Sequence, residues 1–220
     1  MRPLKVKKEA VEDLRFLLSR GYDRSASIRF VGDKYLLNKE QRLLLYRAVY
    51  PESISIIHKS KLVNPEHIEN NVLLIDGFNI LWTVISAIKG QPVYLCDDGI
   101  VRDLSEIHGA IKHEDILTNL RLIISFISQL KPENVIFFFE QQISRSGEIA
   151  AIVRKLLNEI NIEGEAKTVQ SPDYELISSD GIVATSDSII IEKAKRIFDF
   201  AGYIIKKLNI KVYDLSEILI

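Results

Sequence analysis

Three acids directly follow apolar runs in this chain. Asp76 ends Val72-Leu73-Leu74-Ile75, Glu140 ends Val135-Ile136-Phe137-Phe138-Phe139, and Asp187 follows Gly181-Ile182-Val183-Ala184-Thr185 and Ser186. Each run reads as a strand buried on both faces, as in a parallel sheet. Parallel strands present their carboxyl ends at one edge, where open α/β sheets hold ligands. Carboxylates gathered there repel one another unless a cation neutralises them. Their hard oxygens suit Mg2+ or Mn2+, ions that keep waters and bind substrate phosphates. Such a centre can activate water and offset charge on a phosphodiester.

A second acidic group, Asp97, Asp98 and Asp103, surrounds an Asp-Asp-Gly turn. The flanking runs Val93-Tyr94-Leu95-Cys96 and Ile100-Val101-Arg102-Asp103 have the pattern of a small hairpin. These acids are expected to join the strand-end acids. Arg102, His108, Lys112 and Arg145 are expected to face the same edge as phosphate contacts. Gly77 permits a sharp turn after the first strand, and Asn79 can cap the helix that follows. His108 and His113 lack a metal-ligand spacing, and Cys96 reads as a buried strand thiol.

The elements that must position these residues alternate. After the first strand come an apolar helix, the hairpin, a helix over 116–130 and the strand at 135–139. A helix over 147–160, a strand at 166–169 and a short helix or loop after Pro172 follow. The strand at 181–185, a long helix near 188–208 and a last strand at 211–213 complete residues 66–220. This alternation predicts an α/β fold with a doubly wound, mainly parallel sheet. Residues 1–65 read instead as a small all-α domain. Helices are expected over 5–19, from Asp23 or Ser25 to Gly32, and from an Asn38/Gln41 capping pair to Pro51. Ile54-Ser55-Ile56-Ile57 is the first stretch in it with a strand pattern, and 58–71 reads as a polar connector.

Charge separates along this division. Residues 1–65 carry 14 Lys and Arg against 7 Asp and Glu, whereas 66–220 carry 15 against 23. A basic helical head implies contact with a nucleic-acid backbone, with Arg42 and Arg47 on its third helix as candidates. A single cysteine excludes an internal disulfide. With no apolar run of membrane length and no signal-peptide pattern, the expected location is the cytoplasm, away from membranes. No G-x-G-x-x-G follows the first strand, which argues against a dinucleotide enzyme, and Phe78 breaks the D-x-D pattern of aspartyl phosphatases.

The body resembles the PIN-like and NYN nuclease superfamily. Leu74-Ile75-Asp76-Gly77-Phe78-Asn79 matches its opening D-G-x-N strand end, and Ala184-Thr185-Ser186-Asp187-Ser188 its later S-x-D or T-x-D turn. The whole chain looks like an uncharacterised, mainly archaeal family. That family joins a short helical region, here with Arg20-Gly21-Tyr22 and Leu45-Tyr46-Arg47, to a PIN-like body containing Leu95-Cys96-Asp97-Asp98-Gly99-Ile100-Val101-Arg102-Asp103. The resemblance implies metal-dependent hydrolysis of RNA or DNA, with RNA favoured. Carried over by position, Asp76 and Asp187 are the principal ligands, joined by Asp97, Asp98 and Glu140. Asp76, Asp98, Glu140 and Asp187 form the expected catalytic set, and Asn79, Asp103 and Ser186 are auxiliary. Many relatives have a further acid where this chain has Ile189. That departure admits the alternative of a non-catalytic nucleic-acid-binding module on a degenerate nuclease fold.

Overall fold

The computed structural model describes residues 2–104 and 113–220. In chain order, α1 (Lys8–Ser19), α2 (Arg24–Lys34) and α3 (Lys39–Ala48) are the three helices expected near the N-terminus. Asp23 caps α2 by accepting from the backbone N–H of Ala26 at 2.8 Å. Asn38 and Gln41 form a reciprocal capping box at the start of α3. The segment 54–57 lies inside α4 (Glu52–Ser60) and is not a strand. Ser55 and His58 are buried while Ile56 and Ile57 are exposed, so burial follows a three-residue period and not alternation.

A 3-10 turn at Pro65–His67 leads to β1 (Val72–Asp76) and α5 (Gly77–Ile88). The hairpin β2 (Val93–Leu95) and β3 (Val101–Asp103) follows, then α6 (His113–Leu130), β4 (Asn134–Glu140), α7 (Ser146–Glu159) and β5 (Gly164–Val169). After α8 (Pro172–Ser178) and β6 (Ile182–Ala184), the expected long helix is broken into α9 (Ser188–Lys193), β7 (Ile197–Phe198) and α10 (Phe200–Lys207). Ile197 and Phe198 are buried and pair with Val183 and Ala184, and Asp199 restarts the helix by accepting from the backbone N–H of Gly202. Sheet pairing and a new cap thus override helical continuity. The chain closes with β8 (Val212–Asp214) and α11 (Leu215–Ile218).

The described residues form two compact units. One comprises 61–85 and 113–208 and holds a five-stranded, wholly parallel sheet in the order β5-β4-β1-β6-β7. Chain order therefore reverses beside β1, whose neighbours are β4 and β6. Leu73, Ile75, Phe137 and Phe139 join Leu81, Val84, Ile85, Ile123, Ile127, Val153 and Ile204 of the helices in the core. Burial on both faces explains the unbroken apolar strands. Gly77 earns its place by close approach: a Cβ there would run into the Phe139 ring.

The other unit comprises 2–60, 86–104 and 209–220. This grouping by packing differs from the expected division at residue 65 into an all-helical head and an α/β body. The first four helices share a unit with a three-stranded sheet in the order β3-β2-β8. The hairpin is antiparallel as expected, while β8 lies parallel to β2. The reason is burial. Val6, Ala10, Val11, Leu14, Leu44 and Leu45 pack with Tyr94, Cys96, Leu215 and Ile218 in one core. Tyr94 Oη accepts from the Leu4 backbone N–H at 3.0 Å, and Val6 bridges Leu219. No helix among the described residues is long and apolar enough to cross a membrane.

Candidate functional site

Sheet order places the site. Ligands of doubly wound sheets sit outside the carboxyl ends of the strands where strand order reverses, and here that point adjoins β1 and β6. Asp76 is the last residue of β1, and Thr185-Ser186-Asp187 follows β6 directly. Thr185 Oγ1 donates to Asp76 Oδ2 at 2.9 Å and accepts from the Asp187 backbone N–H at 3.0 Å. One buried hydroxyl thus fixes both acid-bearing segments. Asn79, in the first turn of α5, accepts from the Ser186 N–H at 2.8 Å and from Ser186 Oγ at 2.9 Å. The D-G-x-N and T-S-D segments are laced together by these bonds. Asn79 serves as a bridge to the β6 loop, where a helix cap was expected.

Asp187 Oδ1 caps α9, accepting from the backbone N–H groups of Ile189 at 2.7 Å and Ile190 at 3.4 Å. Asp76 is pushed up to about 7, chiefly because burial disfavours its charge. The negative charges of Asp187 and Asp173 push the same way, while hydrogen bonds from Thr185 and the Asn79 backbone oppose them. Asp173 is raised as well, by burial and then by Asp187.

Asp173 is the acid that the sequence reading missed. It lies in the first turn of α8, which packs on β1, β4 and α9. Its signal was Ser171-Pro172-Asp173: a capping serine and a first-turn proline mark a helix start just beyond a strand. The alternating, half-polar strand Gly164–Val169 before it lacks the apolar run that drew attention elsewhere.

Glu140 ends β4 beside β1. Asp76 pairs with Phe138, so the pleat puts Glu140 on the Asp76 face, two residues further out. The hairpin acids belong to the other unit, where each is held by its own partners. Asp98 is fully buried and forms a two-pronged ion pair with Arg102, both contacts being 2.7 Å. His58 Nδ1 lies 3.3 Å from Asp98 Oδ2. Asp97 accepts from Arg15 Nε at 2.9 Å and from the Tyr50 N–H at 3.0 Å. Asp103 accepts from Ser86 Oγ at 3.0 Å and lies 3.8 Å from Arg47.

The expected phosphate contacts are placed as follows. Arg102 is buried beneath its pair with Asp98. Arg42 donates to the Leu37 carbonyl and to Asp33, and Arg47 to the Asp103 carbonyl. Arg145, left-handed at φ 68°, pairs with Glu148 on the surface of α7. His108 and Lys112 lie outside the described residues.

Residues 65–203 match the model of a family described as a domain of unknown function (DUF5616), and residues 8–61 that of a protein of unknown function (DUF434). The chain is 34% identical over 207 residues to Uncharacterized protein MJ0935 of Methanocaldococcus jannaschii, covering 92% of this chain and 98% of that protein. The chain belongs to this family. No solved structure matches it. Asp76, Asn79, Asp173, Thr185, Ser186 and Asp187 all fall within the DUF5616 match, and α1, α2 and α3 within the DUF434 match.

Among the described residues, no three His, Cys, Asp or Glu side chains stand in a ready-made metal cage. The donor set around Asp76 is nevertheless all oxygen, and its carboxyls already disfavour one another's charge. That chemistry fits Mg2+ or Mn2+, which take one or two carboxylates and complete their shell with water and substrate phosphate. It does not fit a thiolate- or imidazole-bound metal.

Proposed function

We propose that this protein is a divalent-metal-dependent nuclease with a PIN-like body, hydrolysing phosphodiester bonds with RNA favoured over DNA. The observation that carries the reading is the Thr185 hydroxyl that ties Asp76, at the end of β1, to the Asp187 backbone at the point where strand order reverses. Asp76 and Asp187, with Asp173 beside them, would hold Mg2+ or Mn2+, and Glu140 shares their face of the sheet. Bound there, the ion would supply a water of lowered pKa and offset negative charge on the phosphate. Thr185 holds Asp76 in one rotamer, and Asn79 holds the Ser186 segment, so the acids need no reorganisation when substrate arrives.

A second reading is a nucleic-acid-binding module without catalysis. It is favoured by the Asp187 oxygen already committed to two backbone N–H groups and by Ile189, half-exposed where many PIN-like relatives carry an acid. Titrating Mg2+ and Mn2+ against labelled RNA and DNA, with wild type and Asp173→Asn side by side, separates the two. The nuclease reading expects metal-dependent cleavage that Asp173→Asn weakens. Absence of cleavage on every substrate, with binding retained, leaves the module.

A further inference from the structure

The basic head was expected to bind through Arg42 and Arg47, yet each guanidinium already faces a carboxylate within its own unit, Arg42 that of Asp33 and Arg47 that of Asp103. Arg15 and Arg102 are likewise neutralised by Asp97 and Asp98. Regrouping the chain by unit also dilutes the charge: residues 1–60, 86–105 and 209–220 carry 16 Lys and Arg against 12 Asp and Glu. Phosphate contact by a generally positive surface is therefore a weak account of this unit.

One end of the bundle differs. There the turn from α1 leads into the start of α2, and α2 packs on both α1 and α3. Arg24, at the start of α2, donates to the carbonyls of Tyr46 at 2.8 Å and Val49 at 2.9 Å, fixing that packing. Phe16, Tyr22 and Tyr46 are 57%, 62% and 46% exposed, where large rings are ordinarily covered. Two guanidiniums lie on ring faces: Arg20 is 5.2 Å from the Phe16 centroid, and Arg24 lies between the buried Tyr50 at 4.6 Å and the exposed Tyr46 at 5.7 Å. Neither has a carboxylate partner among the described residues. Nearby Asp97 is neutralised by Arg15, and Asp23 caps α2. Gly21, at φ 81°, ends α1 and carries the chain into Tyr22.

We infer that Phe16, Arg20, Tyr22, Arg24 and Tyr46 form a stacking platform for unpaired bases of a single-stranded nucleic acid. The inference rests on the nucleic-acid part of the proposed function and names how the strand is held. A single strand alternates flat bases with phosphates, and this region offers exposed rings together with guanidiniums that no carboxylate neutralises among the described residues. A duplex hides the faces of its bases and cannot use the rings. An acidic peptide would use the cations and leave the rings idle.

The test is fluorescence polarisation with labelled single-stranded RNA and DNA of about 12 nucleotides and a matching duplex, using the full chain in EDTA across a salt series. Phe16→Ala, Tyr22→Ala and Tyr46→Ala, all at exposed positions, are each expected to weaken single-strand binding by about tenfold, since stacking lost per base falls in that range. Phe16→Tyr and Tyr46→Phe keep a ring and should keep binding. Arg20→Gln should flatten the salt slope by about 0.7, one phosphate contact on a single strand. Thermal melts check that each variant stays folded. Unchanged affinity in the folded alanine variants overturns the platform, as does equal weakening of duplex or of a poly-glutamate competitor. Cleavage by wild type with Mg2+ and no measurable single-strand binding overturns it too, and leaves the nuclease reading standing. Ring-dependent binding with no cleavage at any metal concentration supports the platform and removes the nuclease reading.

Discussion

Two aspartates in this protein, Asp98 buried and Asp76 partly so, have been driven in opposite directions. Burial raises the pKa of both. At Asp98 the hydrogen bonds from His58 and Arg102, with the charge of Arg102, outweigh burial and bring the carboxyl down to about 2. At Asp76 the neighbours are a hydroxyl, a backbone N–H and two further acids, and the carboxyl stands at about 7. An acid with its own cation holds a fold together. An acid held by burial and by neighbouring acids without a cation favours its proton, and on the proposed function an added metal ion would take the proton's place. The D-D-G hairpin and the D-G-x-N strand end look equally chemical in the sequence, and the partners separate them.

The sharpest way to break this comparison is to neutralise each acid without changing its shape. If the proposed function holds, Asp76→Asn should lower metal-dependent cleavage by about a thousandfold or more, because several kcal/mol of stabilisation go with the metal and each ~1.4 kcal/mol is tenfold. Asp98→Asn should leave the rate per folded molecule unchanged. Single-turnover assays on folded protein decide it, and a rate loss at Asp98 equal to that at Asp76 would abolish the distinction.

Stability should rank the two the other way. Asp98→Asn leaves Arg102 buried without its counter-charge, and breaking such a pair costs about 3–5 kcal/mol. Urea unfolding at neutral pH measures it; a loss below about 1 kcal/mol would show that water or another group already screens Arg102.

The pH dependence sharpens the contrast further. Asp98 binds its proton more weakly when folded than when unfolded, where a carboxyl titrates near 4. Its contribution is therefore complete above about pH 4 and lost as the pH falls toward 2, a change of about 2–3 kcal/mol. The stability gap between wild type and Asp98→Asn should narrow by that amount over that window. Asp76 binds its proton more tightly when folded, so it erodes stability as the pH rises from about 4 to about 7.

The smallest effect follows from that sign. In EDTA at pH 8, Asp76→Asn should raise stability, by about 1–2 kcal/mol once partial solvent access is allowed for. The gain should vanish near pH 4. Saturating Mg2+ should stabilise wild type more than the variant if the ion binds there. A destabilised Asp76→Asn protein would mean that Thr185 and the Asn79 backbone need a carboxylate for structural reasons.

Much of this protein was legible in its residues. Uninterrupted apolar runs at 72–75 and 135–139 require a sheet covered on both faces, and their terminal acids require that Asp76 and Glu140 share an edge. The Asn38/Gln41 capping pair and the Asp-Asp-Gly hairpin are local interactions, and both formed where local chemistry put them. Asp173 escaped because it lies in the first turn of α8, four residues past the end of β5, and not at a strand end. The break at 194–199 escaped because Ile197 and Phe198 suit either a helix or a strand, and only β6 alongside decided between them.

The sequence by itself determined the alternation, the caps, the turns and which side chains carry charge, since these depend on residues within a few positions of one another. Tertiary structure decided membership and partnership. Residues 86–104 and 209–220 joined the helical unit because its apolar helix faces needed Tyr94, Leu215 and Ile218 to cover them. That choice carried Asp98 to Arg102 and His58 inside a closed core, while Asp76 met Asp173 and Asp187 at the reversal of the parallel sheet. Whether a carboxylate is a structural anion or a candidate ligand depends on the charges that folding brings near it, and Coulomb energies follow distance in space, not separation along the chain.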